Sequence, residues 1–207
     1  MDIYEEAARH LSEHDLILAP VIAEAGPATM RPHRRYYEAL VGSSISQQLS
    51  TKAADSIEKR FLALFDDAFP SPEEIPTKDV ETLRGVGFSR AKATYVRDLA
   101  QHIVDGKVTF DHLDELPNDE VIKELTSVKG IGEWTAHMFL MFCMGRTDIL
   151  PTGDQGIRSG MRTLYKLNTL PDPKAMQRIA KKYQWHPYES MACWYIWHFL
   201  DNKPKLD

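Results

Sequence analysis

Apolar residues recur at intervals of three and four along almost the whole chain, and no long stretch alternates apolar with polar residues. A chain with that single period can hide its apolar surface only by packing amphipathic helices against one another. The expected fold class is therefore all-α. The periodic segments predict helices over 2–13, 34–43, 46–65, 79–83, 89–105, 118–126, 133–145, 155–166, 173–183 and 187–201. Glycines and prolines punctuate them, at Pro27 and Pro32, Pro70, Pro72 and Pro76, Gly85 and Gly87, Pro117, Gly130 and Gly132, Pro151 and Gly153, Pro171 and Pro173, and Pro187.

The 207 residues are enough to bury a core without disulfides or metals. No apolar run approaches the roughly 20 residues that a membrane span needs. The start, Met1-Asp2-Ile3-Tyr4-Glu5-Glu6, lacks the basic flank and apolar stretch of a secretory signal, so a cytosolic location is expected. Cys143 and Cys193, each in an apolar helical stretch, read as buried reduced thiols, and two cysteines cannot hold a four-cysteine iron–sulfur cluster. The net charge of −5 argues against a nucleic-acid partner unless the contacts are local.

Such local contacts are offered by Leu125-Thr126-Ser127-Val128-Lys129-Gly130-Ile131-Gly132-Glu133-Trp134-Thr135-Ala136. A helix ends near Thr126, two glycines permit a tight turn, and another helix begins at once. Backbone amides at that second helix start, with the positive end of the helix dipole, suit a phosphate and add no formal charge. An acidic protein can hold a phosphate backbone this way. A plain helical hairpin would look the same in isolation. Lys52, Lys129 and Arg158 are further candidate phosphate contacts.

This stretch resembles the helix-hairpin-helix motif of DNA repair glycosylases, in which Gly-Ile-Gly is followed by Thr-Ala. In that superfamily a Gly/Pro-rich loop after the motif ends in an essential Asp, and here Leu150-Pro151-Thr152-Gly153-Asp154 follows 22 residues beyond Gly132. The reach is feasible, since a helix over 133–145 runs ~20 Å and eight residues can return up to roughly 26 Å. The resemblance extends over about residues 36–202 and is nearest to the 3-methyladenine DNA glycosylases of the alkylation-repair type.

The resemblance implies roles residue by residue. Asp154 is the catalytic carboxylate, stabilising the positive charge that develops on the sugar and helping the attacking water; an Asp before a helix also serves as its N-cap. Trp134 and Trp197 match the tryptophans that stack on the flipped base, where an indole face favours a cationic alkylated purine. Met138 stands where close bacterial relatives carry a pocket Tyr. Gln48, with Gln47 beside it, stands where relatives insert an aliphatic wedge into the gap left by the flipped base. The backbone around Gly130, Ile131, Gly132 and Thr135 is expected on DNA. No cofactor is expected to be required, although the backbone carbonyls of Thr126, Val128 and Ile131 match those that hold Na+, K+ or Mg2+ between hairpin and phosphate. Relatives that also nick the strand carry a Lys two residues after the second hairpin Gly; Trp134 stands there, so no lyase step is expected.

Two helical subdomains are expected, residues 40–148 with the hairpin at about 118–145, and residues 1–39 plus 149–207, with the active-site cleft between them. The implied protein is a monomeric, monofunctional glycosylase that excises alkylated purines from double-stranded DNA, in the cytoplasm or, in a eukaryote, the nucleus, and never in a membrane. The alternatives are a glycosylase for other damaged bases and a hairpin module that binds DNA without catalysis.

Overall fold

The structure is a computed structural model and describes residues 2–46 and 49–202. Its helices are α1 (Ile3–His14), α2 (Ala19–Ala25), α3 (Tyr36–Ser46), α4 (Thr51–Leu62), α5 (Val80–Gly85), α6 (Arg90–Val104), α7 (Asn118–Thr126), α8 (Glu133–Phe142), α9 (Gln155–Leu164), α10 (Pro173–Lys182) and α11 (Glu189–Asp201). Short 3-10 turns lie at Ala63–Phe65, Ile75–Thr77 and Leu113–Glu115, and no strand occurs among the described residues. The chain is all-α, as its periodicity requires. No helix among the described residues is long and apolar enough to cross a membrane.

Polar side chains start several helices in the expected way. Ser50, Asp79, Ser89, Asp154 and Asp172 each accept an amide three residues on, and each cap stabilises its helix by about 1 kcal/mol.

Two helix boundaries differ from the periodic reading, which also lacks α2. The segment 46–65 is not one helix, because Ser50 is extended (φ −70, ψ 154) and caps α4, so Ile45 lies in α3 while Leu49 precedes α4 outside any helix. The helix expected to reach 145 ends at Phe142, where Gly145 turns left-handed (φ 70) and the Arg146 amide closes onto the Leu140 carbonyl at 2.9 Å. A Cβ at position 145 would also collide with the Pro32 ring, 2.6 Å away. Finally, α2 carries only two buried residues, Val21 and Ile22, too few to show a period; Pro20 opens it and left-handed Gly26 stops it.

The chain divides into two compact units, one built from Met1–Pro32 and Leu140–Asp207, the other from His33–Phe139. The division at 33 rather than 40 has a reason in Tyr36, whose ring packs edge-on against Phe110 and Phe139 and whose hydroxyl donates to Asp114 at 2.7 Å. The core of 33–139 is Leu40, Phe61, Ile75, Leu83, Leu99, Leu113 and Leu125, with Phe61 against Phe65, Phe69 and Phe88.

The unit built from the chain ends packs Leu11, Leu18, Ile157, Met161, Met176, Trp185, Met191, Tyr195 and Ile196. A buried carboxylate lies within it. Asp15, fully buried, accepts the Tyr165 hydroxyl at 2.6 Å, the Trp185 indole at 2.8 Å, and the amides of Ile17 and Leu18 at 3.0 and 3.1 Å. Those donors replace the water it gives up. Burial, with the Asp15 carboxylate beside it, pushes the Tyr165 phenol far up.

Candidate active site

The approach to Asp154 is built on α11. Ser190, in its first turn and fully buried, donates its hydroxyl to the Arg146 carbonyl at 2.7 Å and accepts the Ile149 amide at 3.1 Å, while its own amide donates to Thr147 at 2.8 Å. The loop after α8 is thereby stapled to a helix. The Asp154 amide then closes a turn onto the Pro151 carbonyl at 2.9 Å, and the side chain caps α9.

Two donors meet on one oxygen of that carboxylate. Asp154 Oδ1 accepts the Ile157 amide at 2.7 Å and the Trp197 indole N–H at 3.2 Å. Trp197 lies seven residues beyond Ser190 on α11, two turns along and on the same face. One helix therefore fixes both the loop and the carboxylate. Asp154 is 7% exposed, so it is held out of bulk water. The Trp197 ring faces Phe142 at a centroid distance of 5.9 Å, tilted by 33°.

A glycine makes room for this pair. A Cβ on Gly156 would stand 3.1 Å from Asp154 Oδ1 and 3.2 Å from Trp197 Nε1. One turn on, a Cβ on Gly160 would collide with Ile196 of α11. Both glycines bring α9 close to α11. Cys193 is buried beneath, its thiol pushed well above the usual range by burial and by the nearby charges of Asp154 and Glu189. Burial likewise pushes the Cys143 thiol up to about 11, and both cysteines are free.

The hairpin belongs to the unit 33–139. After α7, the amides of Ser127 and Val128 bond back to Glu124 and Leu125 at 3.2 Å each, and the Ile131 amide donates to the Val128 carbonyl at 3.1 Å. Gly130 is left-handed (φ 92), and a Cβ there would collide with the Tyr95 ring. The first bond of α8 runs from the Ala136 amide to the Gly132 carbonyl at 3.0 Å. Lys129, Gly132 and Glu133 are exposed, as is Trp134 at 45%. Met138 follows Trp134 by one turn, on the same face. Ile131 and Thr135, expected on the DNA side, have buried side chains, so only their backbones are available there. His137 is also buried; burial holds its imidazole below the usual range, partly opposed by Glu133 at 3.8 Å.

Of the expected carbonyl ligands, Val128 already accepts one amide and keeps its second lone pair, which fits a hard cation on an all-oxygen donor set. Among the described residues no group of three or more His, Cys, Asp or Glu is placed to hold a metal. Lys52 is exposed on the first turn of α4. Arg158 is half-buried, with Nε donating to the Pro171 carbonyl at 2.9 Å. Gln47 and Gln48 lie outside the described residues. Before them, the Lys92 ammonium, held below its usual range by burial, donates to the Ile45 carbonyl at 3.0 Å near the end of α3. The periodic reading did not single out Ser190, Gly156, Phe142 or Lys92. For Gly156 the spacing Asp154-x-Gly156-x-x-x-Gly160 was the available signal.

Comparison with known proteins places the chain in a family and matches its fold. Residues 41–184 match the HhH-GPD superfamily base excision DNA repair protein. The chain is 30% identical over 208 residues to the alkylbase DNA glycosidase-like protein mag2 of Schizosaccharomyces pombe, covering 98% of this chain and 95% of that one. Its fold superposes on the 3-methyladenine DNA glycosylase of the same yeast, solved with abasic DNA, with a TM-score of 0.81 and 33% identity over 95% of this chain and 97% of that one. A DNA-3-methyladenine glycosidase from Bacillus halodurans gives 0.82 and 36% identity, over 95% and 89%.

Proposed function

Since the chain belongs to the HhH-GPD superfamily of base excision DNA repair proteins, we propose that it is a monofunctional DNA glycosylase that removes alkylated purines of the 3-methyladenine and 7-methylguanine type from double-stranded DNA. Relatives named for this activity, and one solved with abasic DNA, support the reading. The observation that carries it is the carboxylate of Asp154, sequestered and aimed by the Ile157 amide and the Trp197 indole.

The chemistry follows from that carboxylate. An alkylated purine is cationic and leaves as a neutral base, so no general acid is needed. As the glycosidic bond breaks, positive charge grows on the sugar, and a fixed carboxylate stabilises that charge more in the transition state than in the ground state. Asp154 then takes a proton from the water that completes the hydrolysis. A carboxylate already oriented by two donors needs no reorganisation as the charge develops.

Trp134, with Met138 one turn on, offers an exposed aromatic face to a base taken from the stack. Lys129 and the backbone through Gly130, Ile131 and Gly132 position the phosphates, and the carbonyls of Thr126, Val128 and Ile131 would hold a monovalent cation or Mg2+ that offsets phosphate charge. Gln48 and Gln47 would fill the vacated stack. The protein acts as a monomer, wherever its DNA lies, in the cytoplasmic nucleoid or in the nucleus.

The test is excision from methylated duplex DNA. Released base, with strand breaks that appear only after alkali, is the expected result. Release of oxidised or deaminated bases instead would assign a different lesion class, and binding without release would leave a DNA-binding module.

A further inference from the structure

The charge of the chain is unevenly distributed. Residues 155–185 carry seven Lys and Arg (Arg158, Arg162, Lys166, Lys174, Arg178, Lys181, Lys182) against the single Asp172, a net charge of +6 in a chain whose total is −5. A segment so basic within an acidic protein marks an anionic partner.

The structure gives the charge a shape. Lys174, Arg178 and Lys182 follow one another at four-residue intervals along α10, one face of the helix with a cation every ~6 Å. Like charges at that spacing oppose helix formation by a few tenths of a kcal/mol per pair; Lys182, in the last turn, is favoured by the helix dipole, but Lys174 in the first turn and Arg178 in the middle are not explained by the helix itself. All three are exposed, and among the described residues no carboxylate pairs with any of them or with Lys166. Beside the stripe lies a groove of about 520 Å³ whose lining combines the cations Lys166, Arg178 and Lys182 and the polar Asn168 and Thr169 with apolar Leu167, Pro171, Ala175 and Ile179.

We propose that this surface is a second contact for the DNA backbone, gripping the duplex beyond the lesion. The proposal rests on the glycosylase reading. The composition favours a nucleic acid over an acidic protein segment. Lysine is depleted at protein–protein interfaces, whereas Lys, Arg, Asn and Thr are the side chains that meet phosphates. Position agrees as well: α9 starts at Asp154 and ends just before Lys166, so the surface begins ~15 Å along the helix from the carboxylate. A duplex that extends past the carboxylate in that direction would meet the surface several nucleotides from the excised base.

The experiment compares the wild type with the triple variant Lys166→Gln, Arg178→Gln, Lys182→Gln on a duplex of about 25 bp containing a tetrahydrofuran abasic analogue, over a salt series. The expected result is roughly tenfold weaker binding at ~0.1 M salt, and a slope of log affinity against log salt shallower by about 2 to 3, near 0.9 for each lost phosphate contact. The loss should fade on a duplex of about 9 bp, whose ends lie only ~15 Å from its centre. The single variant Arg178→Lys should bind as the wild type does, because charge is what matters. Affinity and slope unchanged in the triple variant overturn the proposal and leave the groove to an acidic protein segment. Excision of 7-methylguanine by the wild type, measured on the same preparation, tests the glycosylase reading separately.

Discussion

Trp197 donates its indole N–H to Asp154 Oδ1 at 3.2 Å, across 43 residues of sequence. The bond gives Trp197 a task beyond offering an aromatic face, since it fixes the direction in which the carboxylate points. Trp197→Phe keeps a ring beside Phe142 and removes only the donor. Single-turnover excision should slow about tenfold, about 1.4 kcal/mol in the barrier, with DNA affinity within twofold of the wild type. An unchanged rate would show that the Trp197 donor is not needed to aim Asp154.

Asp154→Asn should lose at least ~10²-fold in single-turnover excision while retaining DNA binding and fold. Asn caps a helix about as well as Asp, so α9 keeps its start and only the charge disappears from the transition state. Excision near the wild-type rate would remove Asp154 from the chemistry.

Gly156→Ala separates helix stability from the site. Within a helix the change from Gly favours folding by up to about 1 kcal/mol, but the added Cβ crowds Asp154 Oδ1 and Trp197 Nε1 at 3.1 and 3.2 Å. The expected outcome is a thermal midpoint within a few degrees of the wild type together with a clear fall in excision rate. Wild-type kinetics would mean that the pair yields without consequence.

The reaction should stop at the abasic site, without cleavage of the strand. The position that holds a nucleophilic amine in strand-nicking relatives is Trp134, and an indole forms no imine. Borohydride added during turnover should trap no covalent adduct, and breaks should require alkali. A trapped adduct would point to Lys129 or the N-terminal amine.

Asp15→Asn should destabilise the protein by about 1–3 kcal/mol, because an amide NH2 in place of one oxygen leaves the Trp185 indole without an acceptor. Urea midpoints measured at constant m value would report it.

Local features of the fold were legible in the sequence. The hairpin glycines, the cap at Asp154 and most helix spans follow from residues within one turn of each other. Where Ile45, Leu49, Ala53 and Ile57 keep a helical period across a break, the period misleads, and only Ser50 marks the boundary. The support of the carboxylate is of another kind. Ser190 reaches Arg146 across 44 residues and Trp197 reaches Asp154 across 43, and nothing in the pattern around either residue records its partner. Gly156 is intermediate: its spacing to Gly160 marks a close approach to α9, but that α11 is the element approaching is not in the pattern.

The Asp154 oxygen that receives Trp197 is also the oxygen that caps α9. Melting of the first turn of that helix and loss of the aimed carboxylate are thus a single event. Helix ends fray at far lower free-energy cost than the whole domain unfolds, so on heating, the active fraction should decline while far-ultraviolet circular dichroism still reports a folded protein. A turnover optimum below the midpoint of the circular dichroism melt is the expected result, and coincidence of the two would show that this turn opens only with the whole unit.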